Sequence, residues 1–366
     1  MAETNLLETY KEAGLDPVDI EIPDESIPKW VDPWPIFTLK DAFAERPEAS
    51  YILDRIFKLP SLNIIYGPPG SLKTLLLGDL AVCIAAGIDW LDPLPGKAEA
   101  KSIKVIQSPI FWLDMDCGKE MKHEHFEALA RARNLENTNT PVYYYSMPDE
   151  GFNIGNKRHL GEMILRCNDL GAKLICIDNL GNICGKVDEN SNEMQPIMGA
   201  LRRLSEDTGA CEIAIHHQRK GEGIGGRKGD SLRGHSSIEA AIDLALLVKR
   251  EEYSSKITIE STKSRRNQVE PFSAMFTYEQ KPNGDLHSAR FFGLGVDQDT
   301  ATIAIENEVL DFLKDSPVNK TKLATDVSEA LPKVGINRIR DVIETLAFRG
   351  KIKIDSGIRN SKICSI

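Results

Sequence analysis

Apolar residues along this chain follow two periodicities, and their alternation predicts the secondary structure. Between about residues 55 and 295, short continuous apolar runs alternate with segments in which apolar positions recur at helical spacing. The short runs suit buried strands and the other segments suit amphipathic helices, so the pattern predicts an α/β fold with a parallel sheet. Six runs are expected to form the parallel core: Leu62–Tyr66, Ile110–Leu113, Val142–Ser146, Leu174–Ile177, Glu212–Ile215 and Ala241–Val248.

Two further strand-like runs, Lys256–Thr262 and Phe272–Tyr278, follow the predicted core. The polar segment KSRRNQVEP separates them, as expected for two antiparallel strands joined by a turn. We therefore predict a hairpin that closes one edge of the sheet.

The residues after 297 predict a separate small domain of three helices and a β-hairpin. This order resembles winged helix-turn-helix DNA-binding domains, with Arg338 and Arg340 on the recognition helix. Because winged helices also bind proteins, and basic residues outnumber acidic ones by only 11 to 9 over residues 301–366, a docking role is the alternative. The predicted elements are Ile305–Leu313, Thr321–Ala330, Gly335–Arg349, Lys351–Ile354 and Ile358–Cys364.

Length and composition limit the class of protein. The 366 residues leave room for two domains and a small third, and 41% hydrophobic with 27% charged residues excludes wholesale disorder. We find no apolar run near the roughly 18 residues of a membrane span and no signal-peptide pattern, so we expect a cytoplasmic protein with no membrane partner. The 7 cysteines are scattered and mostly lie in apolar runs, which predicts reduced core residues and no structural zinc.

Charge is distributed unevenly along the chain. The net charge is −10, and residues 1–50 alone hold 12 acidic against 4 basic side chains, with prolines that forbid a long helix. In the stretch Arg219–Arg233, basic residues instead exceed acidic ones by 5 to 2. Local clusters of Lys and Arg decide nucleic-acid binding, so the acidic total does not exclude it. We expect an acidic, proline-containing arm (1–50), a core (51–297) and a winged-helix domain (298–366).

A glycine-rich turn joins the first predicted core strand to a helix-like segment. The sequence GPPGSLKT follows the strand directly and LLLGDLAVCIAAG comes next. This is the context of a P-loop, in which backbone N–H groups and the helix N-terminus bind phosphate. ATP is the expected ligand, with Lys73 on the β- and γ-phosphate oxygens and Thr74 on Mg²⁺. The expected phosphate-binding residues are Gly67, Pro68, Pro69, Gly70, Ser71, Leu72, Lys73 and Thr74.

One residue departs from the P-loop pattern. The motif G-x-x-x-x-G-K-[ST] has a second glycine where this chain has Leu72. A leucine fits there if the position has right-handed helical dihedrals, although its side chain could then crowd the nucleotide. The alternative, a glycine-rich turn that binds no ligand, is disfavoured by the strand and helix on either side.

Carboxylates at predicted strand ends complete the expected site. Asp178 ends the apolar strand LICID, where the second carboxylate of a P-loop ATPase holds Mg²⁺ through water. Asp116 is our candidate for the base that orients the attacking water, because it shares a strand face with Asp114 and lies nearer the carboxyl end. Glu120 is the alternative base. A solvated or helix-capping carboxylate is the other interpretation of each residue.

Five segments together resemble the RecA-like hexameric ATPases of the RepA and DnaB helicase superfamily, most of all the RepA-like ATPases of plasmids and phages. In order, they are GPPGSLKT, LDMD, LICIDN, IHHQRK and RGHSSIEAAIDLALLV. The resemblance covers about residues 50–295. It implies a RecA-like P-loop core, ATP bound between subunits, a homo-hexamer or similar ring, and translocation on single-stranded DNA through central loops.

The resemblance also assigns roles outside the P-loop. His217, beside His216, takes the switch position that senses the γ-phosphate; two buried histidines closing a strand are the alternative. Lys263, Arg265 and Arg266 resemble the basic segment that such rings insert into the neighbouring subunit's ATP site; a basic hairpin tip is the alternative. The glycine-rich segment Gln218–Arg233 suits a DNA-contacting loop, with a merely solvated loop as the alternative. Its candidate DNA-binding residues are Arg219, Lys220, Arg227, Lys228 and Arg233.

Three functions agree with these features. The first is an ATP-driven ring motor on single-stranded DNA, as in a replicative helicase of a plasmid, phage or other mobile element, with a primase, initiator or loader protein as a further partner. The second is a RecA-like ATPase that loads or remodels protein–DNA complexes without unwinding. The third is an ATP-gated DNA-binding regulator in which Leu72 slows turnover.

Overall fold

The chain divides into two compact units, Met1–Glu48 and Ala49–Ile366. In the first unit the described residues contain the single-turn helix α1 (Leu39–Ala42), which is capped reciprocally by Thr38 and Asp41. The predicted division of the remainder into a core and a C-terminal domain stays a prediction. The structure is a computed structural model that describes residues 37–45, 48–95, 100–148, 151–188, 191–217, 236–252, 254–265, 269–296, 300–314, 316–332, 334–348, 350–356 and 361–365.

The second unit contains strands and helices in alternation. In chain order, the strands are β1 (Tyr51–Leu53), β2 (Phe57–Lys58), β3 (Ser61–Gly67), β4 (Ile110–Asp114), β5 (Val142–Ser146), β6 (Leu174–Asp178), β7 (Cys211–His217), β8 (Leu244–Arg250), β9 (Lys256–Ser264), β10 (Phe272–Gln280), β11 (Leu286–Val296), β12 (Val318–Asn319), β13 (Lys353–Ser356) and β14 (Lys362–Ser365). The helices are α2 (Lys73–Ala86), α3 (Lys119–Arg131), α4 (Lys157–Leu170), α5 (Met194–Thr208), α6 (Ser236–Ala241), α7 (Thr300–Leu313), α8 (Lys320–Ala330) and α9 (Ile336–Phe348).

Nine of these strands form one sheet in the order β11-β10-β9-β8-β3-β7-β6-β4-β5. The six strands from β3 to β8 pair in parallel, which confirms the predicted α/β fold with a mainly parallel sheet. This architecture is consistent with a RecA-like core. Every residue of β3, β4 and β6 is buried, because helices cover both faces of a parallel sheet.

Each face of the sheet carries its own hydrophobic cluster. Helices α2 and α3 pack on one face, and α4, α5 and α6 pack on the other. On α2, Leu76 and Leu80 are only 2% and 1% exposed, so we expect truncation of either to alanine to cost about 2–5 kcal/mol. Six of the 7 cysteines are buried, as expected for core residues, and Cys117 is half-buried.

Antiparallel strands close one edge of the sheet. β9 pairs with both β8 and β10, as the predicted hairpin requires, but β11 then adds a third antiparallel strand that the pattern did not predict. The sequence LHSARFFGLGV of β11 mixes glycines and charged residues with aromatic ones, so it lacks a clear strand periodicity. The strand predicted over Ala241–Val248 begins three residues late, because Ser236–Ala241 forms α6.

The C-terminal residues form three helices and a three-stranded antiparallel sheet of order β12-β14-β13. Apolar side chains of α7, α8 and α9 share a hydrophobic cluster with Ile352 and Cys364. The helices lie where the sequence predicts them, and the assignment to the winged-helix class stays a prediction. Within the described ranges, we find no helix with the length and apolarity that crossing a membrane requires.

Candidate nucleotide site

The glycine-rich turn lies between buried strand β3 and helix α2. Gly67, the last residue of β3, has a φ of +158°, and a Cβ atom there would lie 2.3 Å from the carbonyl oxygen of Val248. Such a contact is far too short, so only glycine lets β3 approach the end of β8 this closely. The helix begins at Lys73, and its first backbone N–H groups face the turn as a phosphate site requires.

Leu72 adopts the left-handed conformation, with φ 67° and ψ 21°. The condition under which a leucine would fit without strain, right-handed helical dihedrals, is therefore not met. The turn keeps the geometry for which the P-loop motif uses glycine, and a leucine there costs about 1 kcal/mol in backbone strain. The Leu72 side chain packs against the cluster on the α2 face of the sheet, which offsets part of that cost.

The ammonium group of Lys73 lies inside the turn, and the residue is 6% exposed. It donates hydrogen bonds to the carbonyl oxygens of Gly67 at 3.0 Å and Pro68 at 2.9 Å. Burial lowers the pKa of Lys73, while the negative charges of Asp178 and Asp116 act to raise it. A buried cation therefore occupies the middle of the turn, beside two carboxylates.

Thr74 and Asp178 are brought together at the carboxyl edge of the sheet, as the sequence predicts for a metal pair. Asp178 ends β6 and is 1% exposed. Burial raises its pKa, whereas the charge of Lys122 and a hydrogen bond from Thr74 lower it. A hydroxyl and a carboxylate oxygen are hard donors of the kind Mg²⁺ takes, so this pair fits the metal. Their role as ligands stays a prediction.

Lys122 belongs to this site, although the sequence reasoning missed it. Its ammonium lies 3.5 Å from Asp114 and 3.3 Å from Asp178, with all three side chains at most 1% exposed. It also lies 4.5 Å from the ring centroid of Trp112. The sequence did indicate that Lys122 is buried, because it lies on the same face of α3 as the buried Phe126 and Leu129.

Asp114 anchors the loop that follows β4. It accepts hydrogen bonds from the backbone N–H groups of Cys117 at 3.1 Å and Gly118 at 3.0 Å, and from the Ser146 hydroxyl at 2.6 Å. Although burial opposes the effect, these hydrogen bonds and the charge of Lys122 lower the pKa of Asp114. Asp114 is therefore an anchored carboxylate that orients the loop leading into α3.

Asp116 lies in that loop, since β4 ends at Asp114; the two residues do not share a strand face as predicted. It is exposed and accepts a hydrogen bond from the Asn179 amide at 3.2 Å. Its charge acts on Lys73 and Asp178, which places it beside the turn. Glu120 is exposed on the first turn of α3. The geometry favours Asp116 over Glu120 as the candidate base.

The two histidines end β7, the strand next to β3. His217 is half-buried and pairs in register with Gly67, while the buried His216 pairs with Tyr66. His217 therefore lies beside the first residue of the turn, where a side chain that senses a phosphate must be. Its switch role stays a prediction.

The profile of a protein family described as "AAA domain" matches residues 33–223, which is more than half of the chain. The chain belongs to the AAA domain family. This match confirms the resemblance to RecA-like ATPases at the level of the superfamily. A solved structure of the ATPase domain of another protein is similar to this one. The similarity covers 63% of this chain and 84% of the chain in that structure, with 13% identity and a TM-score of 0.43. Nothing among the curated proteins matches.

Other basic residues of this AAA domain protein lie at the opposite, amino edge of the sheet. Lys263 and Arg265 follow β9 to its end, where Ser264 pairs with Leu244 of β8. Because β8 and β3 are parallel and Leu244 pairs with Asn63, four residues before Gly67, this edge lies roughly 13 Å from the turn. The structure does not bring Lys263 and Arg265 to the P-loop of their own chain.

Main-chain carbonyl groups around α6 hold these basic side chains. Lys263 donates to the carbonyl of Glu239, and Arg265 donates to that of Ala240. Arg265 also lies 3.6 Å from the carboxylate of Asp243, which Arg202 contacts at 2.6 Å. Burial lowers the pKa of Lys263, and the charge of Arg265 acts in the same direction.

Several predicted DNA-binding residues of the AAA domain protein lie outside the described residues. Of those in the C-terminal region, Arg338 and Arg340 are exposed on α9, as predicted. Arg338 donates to the Thr302 hydroxyl at 3.1 Å, and Arg340 donates to the Asn337 amide oxygen at 3.4 Å. The DNA-binding predictions outside the described residues concern Arg219, Lys220, Arg227, Lys228 and Arg233. Arg266, predicted together with Lys263 and Arg265, also lies outside them.

Proposed function

We propose that this AAA domain protein is an ATP-dependent, ring-forming motor on single-stranded DNA, and specifically a replicative helicase of a plasmid, phage or other mobile element. The observation that carries the proposal is the separation of two half-sites. One edge of the sheet bears the P-loop and its carboxylates, and the other bears Lys263 and Arg265. Under this proposal, each chain holds both parts of a site that it completes only with a neighbouring chain.

The carboxyl edge has the groups that ATP hydrolysis needs. Lys73 and the N–H groups at the start of α2 would bind the phosphates, and Thr74 with Asp178 would hold Mg²⁺. Mg²⁺ bound there supplies positive charge to the phosphate oxygens. Asp116, exposed beside Lys73, would orient the attacking water and accept its proton.

The separation of the half-sites supports assembly into a ring. If one subunit's amino edge meets the next subunit's carboxyl edge, the contact is heterologous, and such contacts close into a ring when the rotation permits. Lys263 and Arg265 would then stabilise charge on the phosphoryl group in the neighbouring site. Hydrolysis would depend on assembly.

The DNA part of the proposal rests on charge distribution in the sequence. The basic, glycine-rich segment from Arg219 to Arg233 begins two residues after His217 in the sequence. Basic side chains on a glycine-rich segment suit the phosphates of a single strand. A primase, initiator or loader protein is a further partner under this proposal.

Imaging tests the proposal directly. With a non-hydrolysable ATP analogue, negative-stain micrographs of the wild-type protein should show closed rings, and Lys73→Ala should not form them because no phosphate is held. Lys101→Ala, a change at an exposed lysine outside the turn, is the matched control. Monomers or dimers in every sample would contradict the ring.

Two assays separate the alternative functions. ATP hydrolysis stimulated by single-stranded DNA is expected for the motor and the remodelling ATPase, and not for a slow, ATP-gated regulator. Strand displacement on a forked duplex is expected for the helicase alone. Hydrolysis by Lys73→Ala at the wild-type rate would contradict the P-loop assignment on which all three functions depend.

A further inference from the structure

The buried ammonium group of Lys122 has no part in the steps above. It lies between two carboxylates, 3.5 Å from an oxygen of Asp114 and 3.3 Å from an oxygen of Asp178. The three side chains are at most 1% exposed, so water does not weaken their interactions. A fully buried lysine is rare and needs partners of this kind.

The same carboxylates could hold a metal ion together with a neighbouring thiol. Single ligand atoms of Asp114, Cys117 and Asp178 all lie within 4.8 Å of one another. Two carboxylate oxygens and a sulfur are a donor set that divalent transition metals accept. The ammonium of Lys122 is close to both carboxylates and therefore fills the space that an ion shared by them would need.

The net charge of this group also indicates that the Lys122 ammonium and a divalent ion compete for the same space. Two carboxylates and one ammonium leave a single negative charge in this group, and removal of the ammonium would double it. Cation affinity rises with the charge of the ligands, so the group without Lys122 would attract a divalent ion strongly. Asp116, which acts electrostatically on Asp178, adds to this attraction.

We propose that Lys122 is a positioning residue that keeps divalent metals out of the space between Asp114 and Asp178. Metal binding is thereby confined to the Thr74 side of Asp178, where one carboxylate and one hydroxyl hold an ion weakly unless nucleotide phosphates supply further oxygens. The metal consequently enters the site with the nucleotide. This inference rests on the proposed function in one respect, the assignment of Asp178 as a metal ligand.

The test compares the full-length wild type with Lys122→Met, which keeps the length of the side chain and removes its charge. Lys119→Met, at an exposed lysine three residues earlier on α3, is the matched control. Binding of Mn²⁺ is measured by electron paramagnetic resonance without nucleotide. We expect Lys122→Met to bind Mn²⁺ at least about tenfold more tightly than the wild type, and Lys119→Met to match the wild type.

A second metal identifies where the ion binds. Cd²⁺ coordinated by a thiolate absorbs in the ultraviolet, so Lys122→Met should develop this band with Cd²⁺. The wild type should not, because the ammonium of Lys122 occupies the space between the two carboxylates. Adding Cys117→Ser to Lys122→Met should remove the band.

Three results would overturn the proposal: tight Mn²⁺ binding by the wild type without nucleotide, a folded Lys122→Met protein with wild-type affinity, or a Cd²⁺ band that Cys117→Ser does not affect. If Lys122→Met does not fold, Lys122→Gln replaces it, because the amide keeps a polar group beside the carboxylates and removes the positive charge. That variant should show the Cd²⁺ band, and a folded Lys122→Gln protein without it would overturn the proposal as well. These measurements need no ATP turnover, so a failure of the proposed function would appear only in the hydrolysis and imaging assays.

Discussion

Charged side chains differ in burial and in their partners between the two edges of the parallel sheet. At the carboxyl edge, Lys73 and Lys122 are buried, and Lys122 is paired with carboxylates that are themselves at most 1% exposed. At the amino edge, the side chain of Arg265 is 44% exposed and contacts the main-chain carbonyl of Ala240 and the carboxylate of Asp243, which Arg202 also contacts. The first arrangement buries its charges, and the second leaves the guanidinium of Arg265 accessible.

The difference has an energetic basis. Leaving a buried charge without its partner costs several kcal/mol, so the ion pairs of Lys122 with its two carboxylates are hard to break in the folded protein. An exposed ion pair is worth only about 0–1 kcal/mol, so Arg265 can leave Asp243 for another acceptor at little cost. The amino edge therefore suits a residue that acts on a second molecule, and the carboxyl edge suits a fixed site.

The strongest test of this comparison removes the amino-edge cation. Arg265→Ala should reduce ATP hydrolysis by roughly 10³-fold if the guanidinium acts in a neighbouring site. Lys73→Ala should be equally inactive. Mixed in several ratios with single-stranded DNA, the two inactive proteins should regain some hydrolysis, because some interfaces then combine an intact turn with an intact Arg265.

Arg203→Ala, at a 71% exposed arginine, is the control and should hydrolyse ATP normally. A freely exchanging mixture as inactive as its parents would count against a role for Arg265 in a neighbouring subunit. The same experiment on Lys263 would then be the next step.

The second test acts on the carboxyl edge alone. Asp116→Asn should keep ATP affinity and lose hydrolysis by about 10²-fold or more, because the amide cannot accept a proton while Lys73, Thr74 and Asp178 are unchanged. Nucleotide binding and turnover are measured separately on the same preparation. Glu120→Gln is the paired variant; loss of turnover there, with Asp116→Asn active, would reverse our choice of base.

The third test concerns the buried carboxyl group of Glu212. Glu212 lies near the amino end of β7 with both oxygens lacking hydrogen bonds from any described residue, and burial raises its pKa well above the ordinary value although the charge of Arg202 opposes the shift. As pH rises above the unfolded pKa of about 4.3, the unfolded chain loses this proton while the folded chain keeps it, so stability falls up to the folded pKa.

Glu212→Gln removes that dependence. Its stability relative to wild type should therefore increase between pH 4 and pH 7 by at least about 1 kcal/mol, measured by urea unfolding. Glu206→Gln, at a 57% exposed carboxylate on the neighbouring helix, should show a much smaller change. Parallel pH profiles for wild type and Glu212→Gln would show that Glu212 ionises in the folded protein as it does in the unfolded chain.

The smallest expected effect is at the turn itself. Leu72→Ala removes the side chain and keeps the left-handed strain, whereas Leu72→Gly removes both. The glycine variant should therefore be more stable than the alanine variant by about 1 kcal/mol in thermal or urea unfolding. An alanine variant as stable as the glycine variant would mean that the turn relaxes to avoid the strain.

Sequence patterns predicted the parts of this protein that depend on neighbouring residues. The P-loop from Gly67 to Thr74 is contiguous, and strands β3 to β8 each show as an apolar run, so both were recognised. The AAA domain family match and the mainly parallel sheet confirm these predictions at that level. Strand β11 was missed because its glycines and charged residues conceal the alternation.

Tertiary structure alone decided the neighbours of these elements. Lys122 and Asp178 are 56 residues apart along the chain and meet because β4 pairs with β6, placing Asp114 beside Asp178. The strand order likewise placed Arg265 at the edge away from the turn, and the closure of that turn gave Leu72 a conformation that leucine disfavours. Local patterns specify an element because they depend on adjacent residues, whereas pairing of buried charges and backbone strain depend on contacts between distant segments, which exist only after the sheet has formed.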